Sequence, residues 1–336
     1  MDNLGIRARA GQMMALGWWT EMDLFYWKSP QGNFGDDLNE WLWDDLLPGW
    51  RGWDPAVTLV GVGTVFNDVH FPQTRPGRFL VLGSGVGYGA PPSADVRARS
   101  DIRALRGPRS ARLLNLPETT SILDPAMMIP TLEAFRGIPR SGRPIFVPHV
   151  SSVGHHPWAE ICAGAGVDYV SPCGEAREVI GRIAGASLVI AESMHAAILA
   201  DAFRVPWRAV RLSSSFNTDK WMDWGDSLQI TPEVLPLIPA LDRLMALRGP
   251  KSGPKTGTKP AHEPGTGGAA GKGGQPPSIK PPSIKRRLRL GLERMLLPQA
   301  LKAQAGLPPQ LSAADRLETR QDLYRTVLDG VRRDYG

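Results

Sequence analysis

Short apolar runs bounded by glycine or proline recur along the chain, with helical patterns between them. "AVTLVGVG" (56–63) and "RFLVLGSGVGYG" (78–89) read as buried strands that open into glycine loops. "RPIFVPHVSS" (143–152), "GVDYVSP" (166–172), "ASLVIAES" (186–193) and "WRAVRLSS" (207–214) read the same way. "HPWAEICAGAG", "EAREVIGRIAG" and "MHAAILADAFRV" read as short helices between them. Strands alternating with helices predict an α/β fold built on parallel sheets, with helices on both faces. Residues 143–214 form the cleanest βαβ run. The expected architecture is two Rossmann-like domains facing each other across a cleft, with ligands at the carboxyl ends of the strands. The boundaries read as an N-terminal α/β domain over 1–140 and a second Rossmann-like domain over 141–248. From 249 to 285 lysine, glycine and proline replace bulky apolar residues, which predicts a disordered linker. A C-terminal helical segment, 286–336, follows; it opens with the basic amphipathic "RRLRLGLERMLL".

Composition narrows the class. At 336 residues the chain is long for one core. A net charge of +6 favours acidic partners such as phosphates or anionic headgroups. The two cysteines, Cys162 and Cys173, form no CxxC, so neither a disulfide framework nor a zinc site is expected. No signal peptide is visible, and no stretch approaches the ~20 apolar residues that span a bilayer. A cytoplasmic protein is expected, soluble or at most attached to a membrane surface.

Four segments carry candidate chemistry. In "GNFGDDLNEWLWDDLL", Asp36 or Asp37 can cap the following helix. The chemical reading has Asn33 and Asp36 bind sugar hydroxyls, with Asp36 able to act as a base; two carboxylates would repel a phosphate. "LGSGVGYGAPP" carries Gly85, Gly87 and Ala90 in a GxGxxA pattern, but Pro91 and Pro92 oppose the helix a pyrophosphate needs. A plain glycine turn is expected there. In "ALRGPRSARLL", Arg106 stands at a fixed turn before Gly107-Pro108, a ready anion clamp or else a surface arginine. In "LVIAESMHAAILADAFRVPW", a strand ends at Glu192-Ser193 and His195 falls in the first helical turn. There it could donate a proton or bind an anion, with the helix dipole lowering its pKa. His149 is a second strand-end histidine. His70, His155 and His156 are too scattered for a metal motif, so no metal is expected. The 11 tryptophans, among them Trp18, Trp19 and Trp27, suit stacking on sugars, although most read as core.

Taken in order, "YWKSPQGNFGDDLNEWLW", "GSGVGYG", "RGPRSARLL", "DPAMM", "FVPH" and "ESMHAAILADAFRVPW" resemble the bacterial polysaccharide pyruvyltransferases, in particular the ketal-forming, succinoglycan type. The resemblance runs from about Leu24 to Leu228. It implies a GT-B-like arrangement of the two domains. It implies phosphoenolpyruvate as co-substrate with no cofactor, and a sugar diol on a lipid-linked oligosaccharide or polysaccharide at the inner membrane face. Nucleic acid is not expected. Arg106 falls on the family's anion-binding arginine and His195 on its late histidine, the leading general acid. Many members carry Arg-Leu-His at that late motif, where this chain reads Ser193-Met194-His195. Another cation must then serve the phosphate: Arg204, Arg208, Arg211 or Lys220. Ser193 and His149 complete the donor-binding candidates. A nucleotide-sugar glycosyltransferase on the same fold and a non-catalytic polysaccharide assembly protein are the competing readings.

Overall fold

The computed structural model describes residues 20–140, 142–212, 216–239 and 284–336. Trp18, Trp19 and the expected linker up to residue 283 lie outside the described residues. Two parallel sheets organise the chain. The first runs β1 (Asp23–Phe25), β2 (Val57–Val60), β3 (Arg78–Leu82) and β4 (Ser100–Ala104), paired in that order. The second comprises β5 (Pro144–Val147), β6 (Asp168–Tyr169), β7 (Leu188–Ala191), β8 (Trp207–Arg211) and β9 (Val234–Pro236). Its spatial order is β6-β5-β7-β8-β9, again all parallel.

The central strands are the ones the apolar runs predict. "VTLV" in β2 and "LVIA" in β7 are buried at every position, as strands covered on both faces must be. The strands the pattern does not reveal are β1, β4 and β9. β1 and β9 have three residues each, and β4 reads "SDIRA" at a sheet edge, where polar residues are tolerated.

In the second sheet the chain adds strands first on one side of β5 and then on the other. The direction reverses between β5 and β7, and a crevice opens at their carboxyl ends. The register pairs Val147 with Ala191, so the segments bearing His149 and Ser193 leave the sheet side by side.

Helices fill the faces: α1 (Phe34–Asp37), α2 (Leu42–Leu46), α3 (Pro108–Leu113), α4 (Trp158–Ala165), α5 (Ala176–Ala184), α6 (Met194–Ala202) and α7 (Thr218–Ser227). All nine residues of α6 are buried, which fits its apolar composition on every side. It packs against the 3-10 segment Pro125–Thr131 of the N-terminal half. One hydrophobic core therefore joins the halves: Phe34, Leu80 and Leu82 share it with Ile198, Leu199 and Trp207.

The C-terminal helices are α8 (Ile284–Ala305) and α9 (Ala314–Tyr335). α8 packs on α4, burying Leu297 and Leu301 with Trp158 and Ile161. α9 returns to the first half. Tyr324 Oη donates to the Leu82 carbonyl at 3.2 Å, Gln321 Nε2 to the Met127 carbonyl at 2.8 Å, and Arg103 pairs with Asp334 at 2.6 Å. Among the described residues no helix is long and apolar enough to cross a membrane.

Candidate active site

The site begins where α1 meets α6. The Phe34 amide donates to the Pro172 carbonyl at 2.9 Å, which ties the N-terminal half to the second half. Gly35 then lies against the imidazole of His195, the second residue of α6. A Cβ at Gly35 would fall 2.0 Å from His195 Nδ1, so this approach needs a residue without a side chain. Asp37 stands at the N-cap of the 3-10 helix Leu38–Glu40, but its side chain makes no capping bond there. Asp36 and Asp37 both lie inside the first turn of α1, and Asn33 holds them: its Nδ2 donates to Asp36 at 2.5 Å, and its amide donates to Asp37 at 2.8 Å. Asp36 is thereby aimed at the crevice while Asp37 is occupied with the backbone.

His195 is only 7% exposed, and its Nε2 has no hydrogen-bond partner. The nearest acceptor is Oδ2 of the fully buried Asp124, 4.0 Å away and itself unpartnered. The other Asp124 oxygen accepts from the Ala126 amide at 3.0 Å. On the opposite wall the His149 amide donates to Glu192 at 2.9 Å, and its Nδ1 caps the Ser151 amide. Ser193 occupies the N-cap position of α6, yet its hydroxyl makes no capping bond.

Burial dominates the electrostatics. It pushes the Asp36 carboxyl up to about 7, against the pull of Lys220 and Asn33. Asp124 is raised to about 6 by burial, with Arg106 opposing. Burial also lowers His195 to about 3, and the positive charges of Lys220 and Arg106 add to the effect. The helix dipole expected to set this value is not among the causes. His149 falls to about 4 through burial and Lys220. Near neutral pH the site thus holds a proton partly on a carboxylate, while both imidazoles are neutral.

Arg106 is not among the residues that line the crevice. It is fully buried: Nη1 donates to Thr64 Oγ1 at 2.6 Å, and Nε and Nη2 lie 3.2 and 3.1 Å from Asp223. Asp223, on α7, also accepts from the Ser110 amide and hydroxyl at 2.9 and 2.8 Å. Gly85 and Gly107 make room for this pair, since a Cβ would lie 2.3 Å from Arg106 Nη2 or 1.7 Å from the Asp223 carbonyl oxygen. The glycine turn of 82–92 therefore accommodates a buried arginine.

Arg204 is placed elsewhere. Its left-handed backbone, φ 58°, turns it away from the crevice, and its guanidinium bonds Ser312. Arg208 is buried and donates to the Pro308 carbonyl. Of the four candidate cations, Lys220 alone lines the crevice, where Nζ donates to Tyr88 Oη at 3.0 Å.

Asn33, Asp36, His149, Ser193, His195 and Lys220 converge on one cavity of about 170 Å³. A chamber of about 540 Å³ adjoins it, sharing Tyr88, His149 and Lys220. The profile of the polysaccharide pyruvyl transferase family matches residues 58–214, which carry Thr64, Arg106, Asp124, His149 and His195. The chain is 40% identical over 319 residues to the succinoglycan biosynthesis protein ExoV of Rhizobium meliloti (strain 1021), covering 94% of this chain and all of that protein. The chain belongs to the polysaccharide pyruvyl transferase family. It is accordingly a pyruvyltransferase of exopolysaccharide biosynthesis. No solved structure matches it.

In this pyruvyltransferase, sequence reasoning missed the partners that complete the site. Asp124 opens the "DPAMM" stretch, which by itself assigns it no role, and Asp223 carries no local signature, because each faces a residue 71 or 117 positions away in the chain. Thr64, His70 and Tyr88 follow strands β2 and β3, so their strand-end positions were the available signal. Among the described residues no group of three or more His, Cys, Asp or Glu could hold a metal ion.

Proposed function

We propose that this enzyme moves the pyruvyl group of phosphoenolpyruvate onto two hydroxyls of one sugar in a lipid-linked exopolysaccharide precursor, forming a ketal and releasing phosphate. The observation that carries the reading is the content of the small cavity: a carboxyl poised near neutrality, a neutral unpartnered imidazole and a lysine, all lining one site. The compact cavity of about 170 Å³ suits a three-carbon phosphoester, and the adjoining chamber of about 540 Å³ leaves room for the rest of an acceptor.

The chemistry assigns each group a task. The methylene carbon of phosphoenolpyruvate must gain a proton to become the ketal methyl. Positive charge then develops at the central carbon, and a sugar hydroxyl adds there. The bond to phosphate breaks, and the second hydroxyl takes its place. Two hydroxyl protons are released, one to replace the proton spent on carbon and one to leave on phosphate. Lys220 and the free Ser193 hydroxyl receive the donor's anionic groups. His195 is neutral without a bound anion because burial and two cations disfavour imidazolium. The donor's negative charge reverses that balance, so the acid is charged chiefly in the loaded complex. Asp36, oriented by Asn33, accepts the hydroxyl proton. Arg106 contributes a fixed positive charge behind Thr64 without touching the donor.

The test is phosphate release from phosphoenolpyruvate that depends on added acceptor, with an acceptor mass gain equal to pyruvic acid less water. Transfer from a nucleotide sugar instead, or no phosphate release with any precursor, would falsify the reading.

A further inference from the structure

Trp27, His70 and Tyr88 come from the segments that follow β1, β2 and β3. Those strands are adjacent and parallel, with Phe25, Val60 and Val81 in neighbouring register, so the three segments emerge side by side. The rings form a row: Trp27 meets His70 edge-on at 5.3 Å between centroids, and His70 meets Tyr88 at 5.1 Å. Lys220 closes the row through its bond to Tyr88. All three rings line the small cavity.

The row is also where the body of the protein leaves apolar surface uncovered. Among the described residues before the C-terminal helices, four large hydrophobic side chains are exposed: Trp27 (42%), Val69 (59%), Tyr88 (39%) and Leu113. Two of the four, Trp27 and Tyr88, line the cavity. Hydrophobic packing does not require an exposed indole there, and an apolar face at the rim of a polar cavity marks a ligand. A flat ring with polar groups at its edge matches a pyranose, which has an apolar C–H face and a hydroxylated rim.

Building on the pyruvyl-transfer reading above, we propose that Trp27, supported by His70 and Tyr88, is the platform on which a pyranose ring of the acceptor lies. The platform puts the acceptor on the N-terminal side, where Asn33 and Asp36 meet its hydroxyls. The donor occupies the opposite side, between His149, Ser193 and His195.

Two measurements on the full chain test this. In steady state, Trp27→Ala raises the acceptor KM about tenfold or more and leaves the phosphoenolpyruvate KM within about twofold; Trp27→Phe restores most of the loss. In saturation-transfer NMR with methyl β-galactopyranoside and methyl β-glucopyranoside, ring C–H protons of at least one glycoside receive saturation from wild type and not from Trp27→Ala. An unchanged acceptor KM, an equal rise in the donor KM, or saturation transfer that is absent from wild type or persists in Trp27→Ala overturns the platform. A wild type that binds the glycoside through Trp27 yet never releases phosphate sinks the pyruvyl-transfer reading and leaves the platform standing.

Discussion

Replacing Gly35 by alanine puts a methyl group where the His195 imidazole now lies. The new carbon would sit 2.0 Å from Nδ1, 2.5 Å from Cγ and 2.7 Å from Cβ. Ordinary contact begins near 3.4 Å, so one partner must retreat by more than about 1 Å. Neither can do so freely. His195 is buried beside the fully buried Asp124, and α1 is tied to the second half through Phe34 and Pro172. Gly35 has no left-handed backbone, so the clash alone opposes a side chain. Alanine would favour the helix by about 1 kcal/mol over glycine, whereas overpacking costs about 1–3 kcal/mol. The net effect on stability is therefore small. The effect on chemistry is large, because displacing a reacting group by about 1 Å costs roughly 10²-fold. Acceptor-dependent phosphate release at saturating donor should show kcat down about 100-fold in Gly35→Ala. Urea unfolding should show a loss of at most about 2 kcal/mol. Adding His195→Ala to Gly35→Ala should lower kcat little further, since both changes disable one group. A Gly35→Ala enzyme with near wild-type kcat refutes the idea that α1 sets the position of His195.

Arg106→Leu leaves Asp223 buried without its cation, so urea unfolding should report a loss of about 3–5 kcal/mol, most of it recovered in the double variant with Asp223→Leu; a midpoint equal to wild type would rule out the structural role. His195→Gln should retain phosphoenolpyruvate binding, lose turnover about 10²-fold and lose one limb of the kcat–pH profile; near-normal turnover would shift the acid to His149. Asp36 titrates near 7 when folded against 3.8 in the unfolded chain, so between those values the native state holds a proton that the unfolded state does not. That group's contribution to stability therefore falls as pH rises through this window, and Asp36→Asn should gain on wild type between about pH 4 and pH 7 while losing turnover. A stability difference that does not change with pH would show that the raised Asp36 titration is wrong.

The six strands whose apolar runs are bounded by glycine or proline could be read from the chain, as could the helices that follow them. These features depend on neighbours within a few residues: side-chain periodicity, turn chemistry and the run length needed to cross a sheet. His195 was legible for the same reason, because a strand, a two-residue turn and a helix place it locally. His149 was legible as a strand-end residue, and the switch point between β5 and β7 explains why the two share a crevice. The roles of the arginines were not legible. A guanidinium at a fixed turn looks like a clamp until Asp223, 117 residues on, closes over it. Arg204 looks available until Ser312 claims it across 108 residues. Gly35 reads in the chain as a point of close backbone approach, but only the fold shows that the approaching group is the His195 imidazole. The sequence alone determined which segments become strands and helices and which residues stand at strand ends, because those are short-range properties of a polymer with two soft dihedrals per residue. Tertiary structure alone decided which charges are paired, buried or left facing a ligand, because that depends on groups brought together from distant parts of the chain by burial of a common core.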